Sequence, residues 1–160
     1  MYPTLNDLPE AARTGLNALL NTQLADAVDM ATMAKQAHWN VKGPHFIGLH
    51  KMFDELWDAL NDYVDLIAER VSQLGGVADG TARDAAGASS LDEYPHDIAS
   101  GHDHVVAVAG RLASLGASMR AAIAASDDFG DADTADIFTE VSRGVDKWLW
   151  FVEAHLHADT

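Results

Sequence analysis

The chain has 160 residues, 48% apolar and 22% charged, with four prolines and no cysteine; this suits one domain with its own core and excludes disorder, a disulfide framework and thiolate chemistry. Its 25 Asp and Glu against 10 Lys and Arg leave a formal net charge of -15, a surface that repels phosphate backbones and attracts cations, or one adapted to salt or high solubility. No uninterrupted apolar run nears about eighteen residues, and MYPTLNDLPE lacks a basic stretch followed by an apolar one, so no membrane span or signal peptide is expected and the cytoplasm is the default location.

Helical periodicity runs through the chain, and no strand-like alternation competes with it. After a short N-terminal extension, residues 1–8, Asp7 is placed to cap a first helix with Pro9 in its opening turn. Leu16, Leu20, Leu24, Ala27, Ala31 and Ala34 then draw one apolar stripe. Lys42-Gly43-Pro44 ends this helix near Asn40 and opens the next. Phe53, Leu56, Trp57, Leu60, Val64, Ile67 and Val71 form a second stripe, stopped by Gly75-Gly76. A third helix is expected from about Pro95 or Ile98 to Ser126, carried by Val105, Val108, Leu112, Leu115, Met119 and Ile123. After the turn SDDFGDAD, a fourth runs from Asp133 to His155 on Ile137, Phe138, Val141, Val145, Trp148 and Val152.

The connections choose the topology. Helices one and two, and three and four, are joined by a few residues and so form antiparallel hairpins. Between the hairpins lie Val77 to Tyr94, a segment rich in Gly, Ala and Ser. Extended, it reaches about 60 Å, more than the roughly 45 Å of a thirty-residue helix. It is therefore long enough to cross the whole bundle. The expectation is an all-α, single-domain protein over residues 1–160: a ferritin-like four-helix bundle with one long crossover between helices two and three. A short extra helix fits around Ser89 to Tyr94.

The second helix carries two pairs of metal-ligating residue types at i,i+4 spacing, His50/Asp54 and Asp65/Glu69. Fifteen residues separate the pairs, roughly 22 Å along a helix, too far for one ion or a close pair of ions to share. With His50 at zero on a helical wheel, Asp54, Asp65 and Glu69 fall at about 40°, 60° and 100°, beside an apolar arc at about 240–320°. If two copies of this helix pack antiparallel about a two-fold axis near Trp57 and Asp58, each pair meets its complement, making two complete sites per dimer. His38, near the end of the first helix, adds a further ligand. Two imidazoles and three carboxylates suit iron, and zinc or manganese also fit. Taken singly, His38 fits a hydrogen-bonded core histidine, Asp65/Glu69 a solvated face and His50/Asp54 a surface pair; the joint spacing is what favours ligands. No Glu-x-x-His pair for a di-metal site in the bundle core is present.

The run AKQAHWNVKGPHFIGLHKMFDELWDALNDYVDLIAERVSQLGG, Ala34 to Gly76, closely resembles the Dps family of mini-ferritins, the DNA-binding proteins from starved cells. The His-Trp-Asn-Val-x-Gly signature at His38–Gly43, Leu49-His50 and the Asp-x-x-x-Glu-Arg ending at Arg70 carry the resemblance, which EYPHDI, DTADIF and DKWLWF extend over nearly the whole chain. It implies a hollow homo-dodecamer with ferroxidase sites at its two-fold interfaces, binding one or two irons each. His38, His50 and Asp54 would come from one subunit and Asp65 and Glu69 from its neighbour, with Trp39 nearby to intercept stray oxidising equivalents. The implied reaction is oxidation of Fe(II), by hydrogen peroxide in preference to O2, with storage of a ferric oxyhydroxide core. It also places the turn SDDFGDADTAD at three-fold pores, with Asp127, Asp131 and Asp136 as candidate cation guides that equally fit a capping role.

One family property is not expected. Neither MYPTLNDLPE nor EAHLHADT carries a basic residue other than histidine, so DNA binding should be weak or absent unless a metal bridges it. The alternative function, a non-catalytic DNA-condensing or structural shell, is disfavoured for the same reason. Structural or solvent-exposed roles are expected for His45, His96, His102, His104, His155 and His157.

Overall fold

In a computed structural model, which describes residues 1–157, five helices follow one another: α1 Glu10–Asn40, α2 Phe46–Gln73, α3 Ala82–Ala88, α4 Gly101–Asp128 and α5 Ala132–Glu153. Three of the four long helices, α1, α2 and α4, end at a glycine that turns the chain. Gly43, Gly75 and Gly130 all take positive φ, at 112°, 79° and 78°, a conformation that costs L side chains energy and costs glycine little. α4 begins later than the sequence suggests, because Ser100 caps it, its hydroxyl accepting from the Asp103 backbone N–H at 3.1 Å. Asp7 does not cap α1; Pro9 holds that position without a side-chain cap. Instead Tyr2 donates its N–H to the Gly75 carbonyl at 2.7 Å, tying the N-terminal segment to the end of α2.

Two long-range contacts establish the crossover. At one end of the bundle, Lys42 donates its N–H to the Ala99 carbonyl at 3.0 Å, bringing the α1–α2 turn to the start of α4. At the other end, Arg70 of α2 pairs with Asp131 at the start of α5. α4 therefore runs parallel to α2, and residues 77–100 traverse the bundle. The segment is held on α1: Asp26 accepts from both the N–H and the hydroxyl of Ser90, at 2.6 and 2.9 Å, and Asp29 accepts from Ser89 at 2.6 Å. Its short helix lies at Ala82–Ala88, not at Ser89–Tyr94. The reason is a capping box, in which Thr81 and Asp84 satisfy each other's backbone N–H groups; Ser89 and Ser90 are engaged by the two aspartates and leave the helix.

The predicted stripes form the core. Leu16, Leu20, Leu24, Phe53, Leu56, Leu60, Ile67, Leu112, Leu115 and Phe138 are all buried. α4 is long and apolar enough to cross a membrane by length and composition, but its apolar side packs inside this bundle, as Val105, Val108, Leu112, Leu115 and Met119 show. Gly144 admits Tyr63 between α2 and α5: a Cβ there would lie 2.5 Å from the Tyr63 Cζ.

Candidate metal centre

The last turn of α1 and the second turn of α2 face each other across the Lys42–His45 turn, which brings His38 and His50 together. Each ring Nδ1 lies against the other residue's carbonyl oxygen, at 2.7 Å for His38 and 2.8 Å for His50. The rings stack with centroids 3.7 Å apart at 20°, and Phe46 lies 5.0 Å from the His50 ring. A carbonyl only accepts, so both Nδ1 atoms carry the proton. In the neutral ring each Nε2 then keeps a lone pair for a metal, the arrangement by which an outer hydrogen bond fixes a ligand's tautomer and orientation.

Asp54, one turn further along α2, sits 3.8 Å from the His38 Nδ1. Its Oδ1 is in a close ion pair with Lys35 Nζ. That bond is the main cause holding the Asp54 carboxyl below its ordinary range, with the neighbouring histidines contributing and desolvation opposing. Lys35 also lies over the Trp57 ring, 4.1 Å from its centroid. Sequence reading missed Lys35. The available signal was its place one turn before His38 in a chain of four lysines, which helical spacing puts on the same face.

Asp65 and Glu69 are exposed on α2. Neither makes a side-chain hydrogen bond or ion pair within the described residues. The chain does not fold them onto the His50/Asp54 pair. Among the described residues, no three His, Cys, Asp or Glu side chains converge so as to hold an ion. The chain thus presents two separate side-chain groups, one locked by hydrogen bonds and one open. Trp39, next to His38, is exposed.

The pore candidates divide. Asp127 and Asp136 are exposed near the α4–α5 turn. Asp131 is buried, accepting from Arg70 Nη2 at 2.8 Å on both oxygens and from the Thr134 hydroxyl. Burial raises its pKa, but the bonds from Arg70 and Thr134 outweigh that and hold it below the usual range. Its carboxylate is engaged inside the subunit.

Of the remaining histidines, His104 is buried, its Nδ1 2.7 Å from the Tyr94 hydroxyl. His45, His102 and His155 line a cavity of about 780 Å³ with Lys42, Pro44, Leu49 and Val105, where the end of α5 meets the α1–α2 turn.

Known proteins match this arrangement along its length. The ferritin-like domain family matches residues 17–159. The DNA protection during starvation protein of Agrobacterium fabrum is 46% identical over 97% of this chain and 96% of its own. Among solved structures, Mycobacterium smegmatis Dps in a tetragonal form superposes with a TM-score of 0.93 at 28% identity, covering 99% of this chain and 96% of that one. DpsA14 from Streptomyces coelicolor gives 0.92 at 33% identity, over 99% and 93% of the two chains. A locked histidine pair and an open carboxylate pair on a one-crossover bundle thus coincide with these likenesses, and the chain belongs to the ferritin-like domain family, in its Dps branch.

Proposed function

We propose that the protein is a mini-ferritin ferroxidase that oxidises Fe(II) with hydrogen peroxide in preference to O2 and stores the ferric product inside a homo-dodecamer. The observation that carries this reading is the reciprocal His38–His50 hydrogen bonding, which turns both Nε2 lone pairs away from the backbone. His38, His50 and Asp54 form one half of each site; the partner subunit's Asp65 and Glu69 form the other. Two imidazoles and three carboxylates give an oxygen-rich mixed set for one or two Fe(II), and zinc or manganese fit the same set.

Fe(II) is the substrate. Two Fe(II) each give one electron to one peroxide molecule; its O–O bond breaks, and water supplies the rest of the oxygen in two ferric oxyhydroxide units, with release of four protons. Paired electron delivery avoids the one-electron reduction that makes hydroxyl radical. The side chains hold and orient the metal and need not be oxidised. The exposed Trp39 indole, adjacent to His38, supplies an electron if a stray oxidising equivalent forms. The chain's charge of -15 draws cations toward the shell, and Asp127 and Asp136 line the entry.

The test adds Fe(II) to the assembled protein under anaerobic conditions and then titrates in peroxide. Consumption of one peroxide per two Fe(II), without spin-trapped hydroxyl radical, supports the mechanism. Oxidation only by O2, or peroxide loss at another ratio with radical release, refutes it.

A further inference from the structure

The two half-sites differ in how they are held. His38, His50 and Asp54 are locked to one another and to Lys35 across α1 and α2. Asp65 and Glu69 have no such bonds, so their positions depend entirely on where the last turns of α2 lie. Ile67, Val71 and Leu74 bury the inner side of those turns, but none of their side chains forms a directional polar bond there.

Arg70 supplies the missing direction. Its side chain leaves α2 next to Glu69, enters the protein and is buried. Nη2 donates to Asp131 Oδ1 and Oδ2, both at 2.8 Å; Nε donates to Thr134 Oγ1 at 3.0 Å; and Nη1 donates to Gln73 Oε1 at 3.2 Å. The Thr134 hydroxyl donates in turn to Asp131, closing a ring of three residues. Asp131 occupies the N-cap position of α5, yet makes no side-chain cap bond. Its carboxylate is committed to the guanidinium instead. Charge-assisted bonds of fixed geometry define orientation as well as distance.

We infer that Arg70 is a positioning residue for the open half-site, fixing Asp65 and Glu69 by tying the end of α2 to Asp131 and Thr134 of the α4–α5 corner. The inference rests on the shared-site reading above. It makes the corner a determinant of metal affinity, with no contact between Asp131 and the metal.

The test uses full-length assembled shells of Thr134→Val, Asp131→Asn and Arg70→Lys, with Glu69→Gln as the ligand control. Thr134→Val is close to isosteric and keeps the assay interpretable if Asp131→Asn folds poorly. Anaerobic Fe(II) binding gives the half-saturation concentration, stopped-flow absorbance gives the oxidation rate at saturating Fe(II), and circular dichroism and light scattering report fold and size. Loss of an outer partner typically costs about 10–100-fold in affinity where it touches the ligand. Acting through the helix, Thr134→Val should raise half-saturation about threefold and Asp131→Asn about tenfold, with Arg70→Lys between them, at unchanged saturated rate and shell size. A merely structural role would lower the folded fraction and the amplitude, leaving half-saturation where it was. Wild-type half-saturation in Thr134→Val shells, with Glu69→Gln impaired, overturns the positioning role. If Glu69→Gln itself leaves half-saturation unchanged, the shared-site reading fails before it.

Discussion

His38 and His50 each donate a ring Nδ1–H to the other's backbone carbonyl, at 2.7 and 2.8 Å, so each imidazole is held in orientation by the facing helix and turns only by breaking its own bond. The pair is locked without a bound ion, so metal binding at the proposed site would require little reorganisation. Replacing His50 with Phe retains an aromatic ring but removes both the lone pair and the bond to His38. The expected result is at least about a tenfold fall in the Fe(II) oxidation rate with shell size unchanged, measured by stopped-flow absorbance and light scattering. A wild-type rate in H50F would remove His50 from the ligand set.

Lys35 is paired with Asp54 Oδ1, one of the two oxygens that this carboxylate would offer a metal in the proposed site. On the proposed reading, Fe(II) would have to share Asp54 with an ammonium group, and Lys35 would lower the site's resting affinity. Lys35→Met should tighten anaerobic Fe(II) binding roughly two- to fivefold, the scale of an exposed ion pair, and let the Asp54 carboxyl rise toward its ordinary range. Weaker Fe(II) binding in the variant would mean that the ammonium supports the site instead of competing for it.

His104 makes the fold sensitive to acid. Burial beside Tyr94 lowers its pKa below 6.5, with Lys42 adding to the effect and Asp103 and the nearby Asn40 backbone opposing it. Burial also raises the Tyr94 hydroxyl, which stays protonated. A depressed histidine stabilises the native state fully above its unfolded pKa, and that contribution is lost as pH falls below about 6.5 toward the folded value, because the unfolded chain takes up the proton first. His104→Gln should flatten the fall in urea midpoint between pH 6.5 and 5 relative to wild type. An unchanged slope would assign the acid sensitivity to other groups.

DNA should not be retained. Phosphate affinity comes from Lys and Arg, and this chain carries a charge of -15 with neither residue among its first ten. The first residues are moreover tied to the fold, through Tyr2 on Gly75 and an Asn17 Nδ2 contact to Met1 Sδ at 3.3 Å. Plasmid at about 0.1 M salt, neutral pH and no divalent metal should migrate unretarded; complete retention would contradict this.

Helix number, stripes and crossover are legible in the sequence because each rests on local signals: Leu and Ala spacing, Gly at positive φ and the length of the linker. The His50/Asp54 and Asp65/Glu69 pairs proposed as ligands are legible as helix-face pairs because i,i+4 spacing reports a helix face directly. What escapes is what depends on contacts distant in sequence. Lys35 meets Asp54 only when α1 packs on α2. Asp131 reads as a turn or pore carboxylate until Arg70, sixty-one residues away, is seen to hold it. The crossover helix forms at Ala82–Ala88 and not at Ser89–Tyr94 because Thr81 and Asp84 make a capping box, whereas Ser89 and Ser90 are engaged by Asp26 and Asp29 on another helix.

The shared site is tested most directly by complementation between two crippled chains, His50→Ala and Asp65→Ala. Each should form shells without ferroxidase activity. In a dimer of one of each, one site loses both halves and the other keeps both. Random co-assembly from an equal mixture makes half the dimers mixed, so about a quarter of the wild-type sites should return, and with them about a quarter of the peroxide-dependent Fe(II) oxidation. If co-assembled shells stay as inactive as their parents, each site is built within a single chain and the interface account is wrong.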